Sequence, residues 1–230
     1  MNIRKINWLI IQKLNKRFRT TIFDEIYWRY RRCRGDWRDN KSYLDSVDHP
    51  HRKAILDIIA TGYDRGFSLL EIGSNAGPNL IAIKSRFPFT RLAGIDINKK
   101  AVREGKKEGL DIIWGKADKL PFKDNEFDII LADAVLMYIG PDKIAKVIQE
   151  MIRVAKNMIV IVDFHKQGSF VFSNMGFDTD NCIELGHWVR DYQILFETFG
   201  LEAEVRETTK EEWPGYSWEK LGHYITVWMN

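Results

Sequence analysis

The chain has 230 residues, of which 45% are hydrophobic and 29% are charged. This length is enough to bury one substantial core and too short for two full domains. No apolar run approaches the roughly 18–20 residues needed to cross a bilayer, which argues against an integral membrane protein. The first residues mix Lys and Arg with apolar side chains and lack a small-residue cleavage site, so no secretory signal is expected. Two isolated cysteines fit a reducing, cytoplasmic compartment better than a disulfide framework.

Residues 1–62 are predicted to form a basic helical extension. Residues 1–38 carry 11 Lys and Arg against 3 Asp and Glu, whereas the remainder carries 24 against 29. An apolar residue recurs at every fourth position from Ile6 to Ile22, which is typical of an amphipathic helix, and a second helix is predicted over residues 50–60. A basic arm of this kind is compatible with a solvated helix docked on the domain, with contact to nucleic acid, and with peripheral contact to an anionic membrane.

Residues 63–230 are predicted to form one α/β domain, because short apolar runs alternate with helical stretches as in repeated βα units. Seven strands are predicted, at residues 67–72, 91–95, 111–114, 127–132, 158–163, 201–205 and 224–228. Helices are predicted at residues 79–87, 99–108, 142–155 and 188–199. The last two strands have no clearly periodic helix between them, so the final strand is expected to pair antiparallel. The prediction is a mostly parallel seven-stranded sheet with helices on both faces.

The string FSLLEIGSNAGPNL, residues 67–80, predicts a ligand site at the end of the first strand. A buried strand ends in Glu71, and a glycine-rich turn runs from Gly73 to Gly77. Glycines let the backbone adopt torsions that other residues resist and approach a ligand closely. The spacing G-x-x-x-G differs from the G-x-G-x-x-G of dinucleotide sites, and a carboxylate before the turn suits a cationic ligand better than a pyrophosphate.

The second strand ends in GIDIN, which places Asp96 close to the spacing at which an acidic residue accepts hydrogen bonds from ribose hydroxyls. Asp96 also stands where a residue capping the following helix is expected, and the two roles are compatible. The first two strands therefore predict a site for a ligand that carries both a positive charge and a ribose.

These motifs, in this order, resemble those of class I S-adenosylmethionine-dependent methyltransferases of the type 11/25-like kind. LLEIGSNAGPNL resembles the glycine-rich first motif of that family, GIDIN its acidic second motif, and WGKADKLPFKDNEFDII its third motif and fourth strand. The resemblance covers roughly residues 65–165 and implies a Rossmann-like fold, methyl transfer, and S-adenosylmethionine as the cofactor. Lys116 stands where the family often has an acidic residue. The cofactor-binding residues that the resemblance implies are Glu71, Gly73, Ser74, Asn75, Gly77, Asp96, Ile97, Ala117 and Asp118.

Candidate catalytic residues follow the fourth and fifth strands. Methyl transfer chiefly requires alignment of donor and acceptor, and a general base helps when the acceptor is a hydroxyl. Asp133, at the end of FDIILAD, is expected to orient the acceptor or an imidazole, and His165, just beyond VIVDF, is the candidate base. For both residues an ordinary loop role stays open. His49 and His51 lack an acidic or cysteine partner in the sequence, so no metal site is predicted.

The expected acceptor is a small molecule or a glycan, methylated on oxygen or nitrogen. A nucleic-acid methyltransferase is an alternative, since the basic N-terminal segment offers the rings of Trp8, Tyr27, Trp28, Tyr30 and Trp37 for stacking. Against that alternative, the fourth strand ends in Ala-Asp-Ala-Val, whereas base-amino methyltransferases resemble an Asn/Asp-Pro-Pro-aromatic pattern. A non-catalytic protein that binds the cofactor and a partner is a third possibility. The oligomeric state is left open.

Overall fold

The structure is a computed structural model, and it describes residues 21–30, 44–168, 187–214 and 216–229 together with three dipeptides between residues 168 and 187. The basic, apolar repeat predicted over residues 6–18 and both cysteines lie outside the described residues. In the part of the chain that is described, no helix is long and apolar enough to cross a membrane.

Seven strands form one sheet, in which the last strand runs antiparallel to the other six. The strands are β1 (Ser68–Ile72), β2 (Arg91–Asp96), β3 (Ile112–Trp114), β4 (Phe127–Asp133), β5 (Ala155–Phe164), β6 (Ala203–Glu207) and β7 (Gly222–Trp228). Their order across the sheet is β6-β7-β5-β4-β1-β2-β3. The predicted strand number, the mostly parallel sheet and the antiparallel last strand are therefore confirmed.

Helices cover both faces of the sheet, as predicted. They are α1 (Ile22–Tyr30), α2 (Pro50–Ala60), α3 (Pro78–Arg86), α4 (Lys99–Lys107), α5 (Ile144–Val154), α6 (Tyr192–Glu197) and α7 (Tyr216–Leu221). Successive side chains of a strand point to opposite faces, so Leu69 packs with α2, α3 and α4 while Leu70 packs with α5 and α6. Each face of the sheet thus has its own buried apolar cluster.

Helix α2 belongs to the core of the sheet domain, although the sequence pattern places residues 50–60 in the N-terminal extension. Ile55 and Ile59 are fully buried in the cluster that contains Leu69 and Leu80. The burial of two large apolar side chains ties α2 to the face formed by β1 and its neighbours. The sequence predicts that the domain begins after residue 62, but the helix just before this boundary packs as part of the domain.

Two elements near the C-terminus differ from the prediction. The helix expected over residues 188–199 begins only at Tyr192, because the Asp191 side chain caps it by accepting the backbone N–H groups of Gln193 and Ile194. The residues before it, His187 and Trp188, are extended. The short helix α7 stands between β6 and β7, where the sequence predicts only a turn, and the two strands pair antiparallel through it.

Candidate functional site

A cavity of about 740 Å³ lies at the carboxyl ends of β1, β2 and β4, where open α/β sheets bind ligands. Its walls come from these strand ends, from the loops after β3 and β4, and from α1, α2 and the segment between β6 and β7. Six of the nine predicted cofactor-binding residues line it, namely Gly73, Asn75, Asp96, Ile97, Ala117 and Asp118. The other three, Glu71, Ser74 and Gly77, are buried behind the wall.

The turn after β1 requires glycine for two separate reasons. Gly73 has φ +70°, and Gly77 caps α3 with φ +90°, both in the left-handed region. A Cβ at Gly73 would also lie 2.5 Å from a methyl group of Val135, which belongs to the loop after β4. The turn can therefore approach that loop only because residue 73 has no side chain.

Asp96 ends β2 and holds the glycine-rich turn in place. Its Oδ2 accepts the backbone N–H of Asn75 at 2.8 Å, and its Oδ1 accepts the N–H of Asn98 at 2.7 Å. Burial raises the pKa of Asp96 to about 6, although both backbone N–H groups act to lower it. The helix-capping role that the sequence leaves open for Asp96 is filled by Asn98, whose side chain accepts the N–H groups of Lys100 and Ala101.

Glu71 lies beneath the turn, and only one of its two carboxyl oxygens forms a hydrogen bond. Its Oε1 accepts a hydrogen bond from Asn79 Nδ2 at 2.7 Å, and its Oε2 has no hydrogen-bond partner among the described residues. Burial raises the pKa of Glu71 to about 8, and the negative charge of Asp133 adds to that effect. A buried carboxyl group of this kind either keeps its proton or binds a positively charged group.

Asp133 ends β4 and is held by residues from two helices. Its Oδ2 accepts a hydrogen bond from Asn79 Nδ2 at 2.8 Å and lies 2.9 Å from His51 Nε2. Burial acts to raise the pKa of Asp133, but the charge and hydrogen bond of His51, with Arg52 and Asn79, bring it below its usual value. An ionised carboxylate only accepts hydrogen bonds, so His51 Nε2 is the donor.

His51 in turn contacts His49, with 2.5 Å between their Nδ1 atoms. These two histidines have no acidic neighbour of suitable spacing in the sequence, and the structure supplies one in Asp133, 82 residues away in the chain. Among the described residues, no group of three or more His, Cys, Asp or Glu side chains is arranged to hold a metal ion.

The structure does not bring His165 to Asp133. His165 is buried outside the residues that line the cavity, and its Nδ1 accepts the backbone N–H of Tyr192 at 3.1 Å. Burial and the neighbouring His223 lower the pKa of His165. Because side chains alternate along β5, Phe164 faces the cavity and His165 does not. The imidazole next to Asp133 belongs to His51.

Among the described residues, eight ring side chains in continuous contact line the cavity, and we call them the ring belt. In order of contact they are His49, His51, Trp213, Trp218, Phe164, His187, Tyr138 and Trp28. The ring of Trp213 lies 3.9 Å from that of His51, at a tilt of 35°, and stacks on Trp218 with ring centroids 3.6 Å apart. At the other end, the rings of Tyr138 and Trp28 are 4.7 Å apart. The belt makes much of the wall apolar.

Helix α1 covers the cavity through polar contacts to the loops after β3 and β4. Glu25 forms ion pairs with Lys116, at 2.9 Å, and with Lys143. Thr21 donates to Asp142 from its backbone N–H at 2.8 Å and accepts the N–H of Gly140. Lys116 stands where the family often has an acidic residue, and in this structure it forms an ion pair with a carboxylate from α1.

The orientation of α1 bears on the predictions that the N-terminal segment forms an amphipathic helix and that it offers aromatic rings for stacking. Trp28 lines the cavity and contacts Tyr27 edge-on, so this ring faces the domain interior. Ile22, the last member of the predicted apolar stripe, is half exposed. Trp8 and Trp37 lie outside the described residues.

Comparison with known proteins gives one family match and two sequence relatives. The model of the family described as "Methyltransferase domain" matches residues 70–161. An uncharacterized protein of Methanocaldococcus jannaschii is 39% identical over 89 residues, covering 38% of each chain. An uncharacterized protein of Haemophilus influenzae is 29% identical over 175 residues, covering 71% of this chain and 62% of that protein. The chain thus spans less than two thirds of either relative's length.

Solved structures share the fold at low sequence identity. The partner of the Trm112 methyltransferase activator from Haloferax volcanii has a TM-score of 0.60 at 18% identity, covering 84% of this chain and 95% of that chain. A SAM-dependent methyltransferase from Aquifex aeolicus has a TM-score of 0.57 at 17% identity, with coverage of 84% and 99%. Magnesium protoporphyrin IX methyltransferase of Synechocystis, with bound SAH, has a TM-score of 0.60 at 12% identity, with coverage of 97% and 100%.

The family match extends from the end of β1, before the glycine-rich turn, to the middle of β5, and so includes Asp96, Asp133 and the strands that position them. The solved structures share the fold of the seven-stranded sheet around the matched residues. Residues 70–161 therefore match the family described as "Methyltransferase domain", and the sheet that contains them has the fold of the solved methyltransferase structures.

Proposed function

We propose that the chain transfers the methyl group of S-adenosylmethionine to a small-molecule or glycan acceptor. The observation that carries this proposal is one continuous cavity, with the turn at Gly73 and the carboxylate of Asp96 on one side and Asp133 within the ring belt on the other. A cofactor site and an acceptor site that share one cavity allow donor and acceptor to be aligned.

The residues on the cofactor side fit this ligand. Asp96 can accept hydrogen bonds from ribose hydroxyls, and the unpartnered Oε2 of Glu71 is suited to a positively charged amino group, directly or through the turn. Ile97, Ala117 and Asp118 border the remaining part of the wall, where a nucleoside base would lie. When bound, the cofactor supplies a methyl group on a positively charged sulfur that is open to attack by a nucleophile.

The acceptor side has two tasks in this proposal. Helix α1 and the ring belt exclude water from the cavity, and Asp133 orients the acceptor through hydrogen bonding. His165 has no part in the reaction as proposed, because its ring lies outside the cavity wall.

The covered cavity favours a small acceptor over nucleic acid, since α1 lies across it and Trp28 points inward. Association of the basic N-terminal segment with an anionic membrane remains a separate prediction. Co-sedimentation of the full chain with anionic vesicles at low salt would support that prediction, and its absence would contradict it.

Isothermal titration of the purified chain with S-adenosylmethionine and S-adenosylhomocysteine tests the proposal. We expect both to bind, and Asp96→Ala to weaken binding roughly 10- to 100-fold, because hydrogen bonds to charged groups contribute about 1.5–3 kcal/mol each. Asp124→Ala, which removes an exposed carboxylate outside the cavity, serves as the control.

Failure of the folded protein to bind either compound would refute the proposal and favour an interaction role. Binding without methyl transfer to any saccharide, small molecule or RNA in an acceptor panel would favour the non-catalytic alternative. Transfer to RNA alone would favour the nucleic-acid alternative, which the salt dependence of RNA binding would test separately.

A further inference from the structure

Asp133 lines the cavity and has one buried carboxylate oxygen without a hydrogen-bond partner. Its side chain is only 8% exposed, and its Oδ2 is already in contact with two donors, on His51 and Asn79. Oδ1 has no hydrogen-bond partner within the described part of the chain. Because buried carboxylate oxygens are nearly always hydrogen-bonded, Oδ1 is an atom prepared for a donor that comes from outside the chain.

The backbone at Asp133 is held in a strained conformation. Ala134, the next residue, has φ +51°, although alanine rarely adopts the left-handed region. Such strain persists only when the surrounding structure maintains it, and it is concentrated at functional sites. Here Ala134 donates its backbone N–H to the carbonyl oxygen of Val162 on β5, which fixes the backbone at the end of β4.

We propose that the methyl acceptor is an arylamine, an uncharged amine on a planar ring, and that its N–H donates a hydrogen bond to Asp133 Oδ1 while the nitrogen lone pair attacks the methyl group. This inference rests on the proposed function and narrows its acceptor. It draws on the free oxygen of Asp133 and on the ring belt that surrounds it.

The ring belt favours an acceptor with a planar, apolar body. Trp28, Tyr138 and Phe164 line the cavity, and aromatic side chains bind flat rings through offset or edge-on contacts. Trp213 is not itself available for stacking, because His51 covers one face and Trp218 covers the other. In this inference the acceptor ring packs within the ring belt, with its polar group turned towards Asp133.

The titratable groups near Asp133 favour nitrogen over oxygen as the methylated atom. Methylation of a hydroxyl releases a proton that the site must accept. The pKa of Asp133 lies below its usual value, and burial, followed by the charges of His51 and Arg52, lowers the pKa of His49 to about 4. Burial raises the pKa of Asp24 to about 8, so this group holds its proton at neutral pH, and Glu71 is buried behind the cavity wall. His51 has both ring nitrogens engaged, so none of these groups is a good base for a hydroxyl.

Methylation of an uncharged amine needs no base. The nitrogen forms a bond to carbon, the bond between carbon and sulfur breaks, and its electron pair leaves with the sulfur. The proton stays on nitrogen, so the immediate product is an ammonium ion that loses its proton to solvent after release. Positive charge moves from sulfur to nitrogen during the step, and an ionised carboxylate beside the nitrogen stabilises the transition state more than the ground state.

The test compares probes that differ only in the reacting atom. Aniline is paired with phenol, and 5-aminoindole with 5-hydroxyindole, and each is titrated into full-length protein saturated with S-adenosylhomocysteine. We expect each amine to bind and, with S-adenosylmethionine, to be methylated at least about 10-fold faster than its hydroxyl partner, because only the hydroxyl needs a base. With S-adenosylmethionine, mass spectrometry is expected to find the added methyl group on nitrogen.

Asp133→Asn is expected to remove the preference for the amine, whereas Asp124→Asn, the same change at an exposed site, is expected to leave it intact. Equal or faster methylation of the hydroxyl probes, or no binding of any probe, would overturn the inference. Because the comparison of probes uses the wild-type chain, it holds even if Asp133→Asn does not fold. Failure to bind S-adenosylhomocysteine, by contrast, would refute the proposed function itself.

Discussion

The two sides of the cavity are built in different ways. On the cofactor side, the turn at residues 73–77 and Asp96 come from the ends of two adjacent strands, and the Asn75 N–H binds Asp96 directly. On the acceptor side, His51 on α2, Asp133 on β4 and Trp213 after β6 come together from distant parts of the chain. A site made from local motifs is visible in a sequence, whereas a site made by tertiary packing is visible only in the fold.

The largest effect is expected from a substitution that disrupts the cofactor side of the cavity. Gly73→Ala places a Cβ 2.5 Å from Val135 at φ +70°, and is expected to cost roughly 2–4 kcal/mol from left-handed strain and overpacking together. The loss is measured by urea unfolding and by titration with S-adenosylhomocysteine.

Gly109→Ala is the matched control for Gly73→Ala, because Gly109 has φ +73° and a Cβ added there would have no atom within 4 Å. It is expected to cost only the strain and to leave cofactor affinity unchanged. Equal losses in the two variants would show that the contact with Val135 is unimportant.

The second largest effect is expected from a substitution that disrupts only the acceptor side of the cavity. His51→Gln is expected to lower methyl transfer roughly 100-fold, because Asp133 loses the partner that orients it and small misplacements are costly. Affinity for S-adenosylhomocysteine is expected to change less than about 3-fold, since the His51 side chain bonds Asp133 and makes no hydrogen bond to the turn or to Asp96. Steady-state kinetics and titration measure the two quantities.

His223→Gln, a change at a half-buried histidine outside the cavity wall, is the control for His51→Gln. His165→Gln decides between the two candidate imidazoles. Loss of transfer in His165→Gln with normal transfer in His51→Gln would restore the role that the sequence suggests for His165.

The smallest expected effect is a pH dependence of the free energy of unfolding that comes from Glu71 on the cofactor side. Burial raises the pKa of Glu71 to about 8, so the folded state binds this proton more tightly than the unfolded state. The stabilisation is full below the unfolded pKa and is lost as pH rises towards 8. Between pH 6 and pH 9 the ligand-free protein is expected to lose roughly 2 kcal/mol through Glu71, from the pKa difference between the two states.

Glu71→Gln keeps the acceptor for Asn79 and is expected to flatten this pH dependence in urea unfolding. Glu126→Gln is the control, because hydrogen bonds from Arg91 and Lys123 hold the pKa of Glu126 below its usual value and outside the window. An unchanged slope in Glu71→Gln would mean that Glu71 is ionised in the folded protein.

The sequence predicts the strands well because their apolar runs are continuous and are interrupted by turn residues. It predicts the positions of Gly73 and Asp96 because both follow directly from strand ends. It does not pair His51 with Asp133, since no local pattern relates residues 82 positions apart. The sequence does contain a signal for the position of His51. A helix that leads into β1 begins at the carboxyl edge of the parallel sheet, so residues of its first turn are expected near the ligand site.

The sequence pattern fails to place the ring of His165 correctly for a different reason. A strand places successive side chains on opposite sides, so the last residues of β5 cannot all face the same cavity. The pattern locates the end of β5 to within two residues, and Phe164 rather than His165 faces the cavity. An error of one position on a strand exchanges the two sides.

The ring belt also makes the protein its own optical reporter. Of the six tryptophans in the described part of the chain, three line the cavity, namely Trp28, Trp213 and Trp218. Trp213 and Trp218 lie 3.6 Å apart and within 12° of parallel, close enough for their electronic transitions to couple. Filling the cavity changes the surroundings of all three indoles, so intrinsic fluorescence and near-ultraviolet circular dichroism can follow ligand entry without any added label.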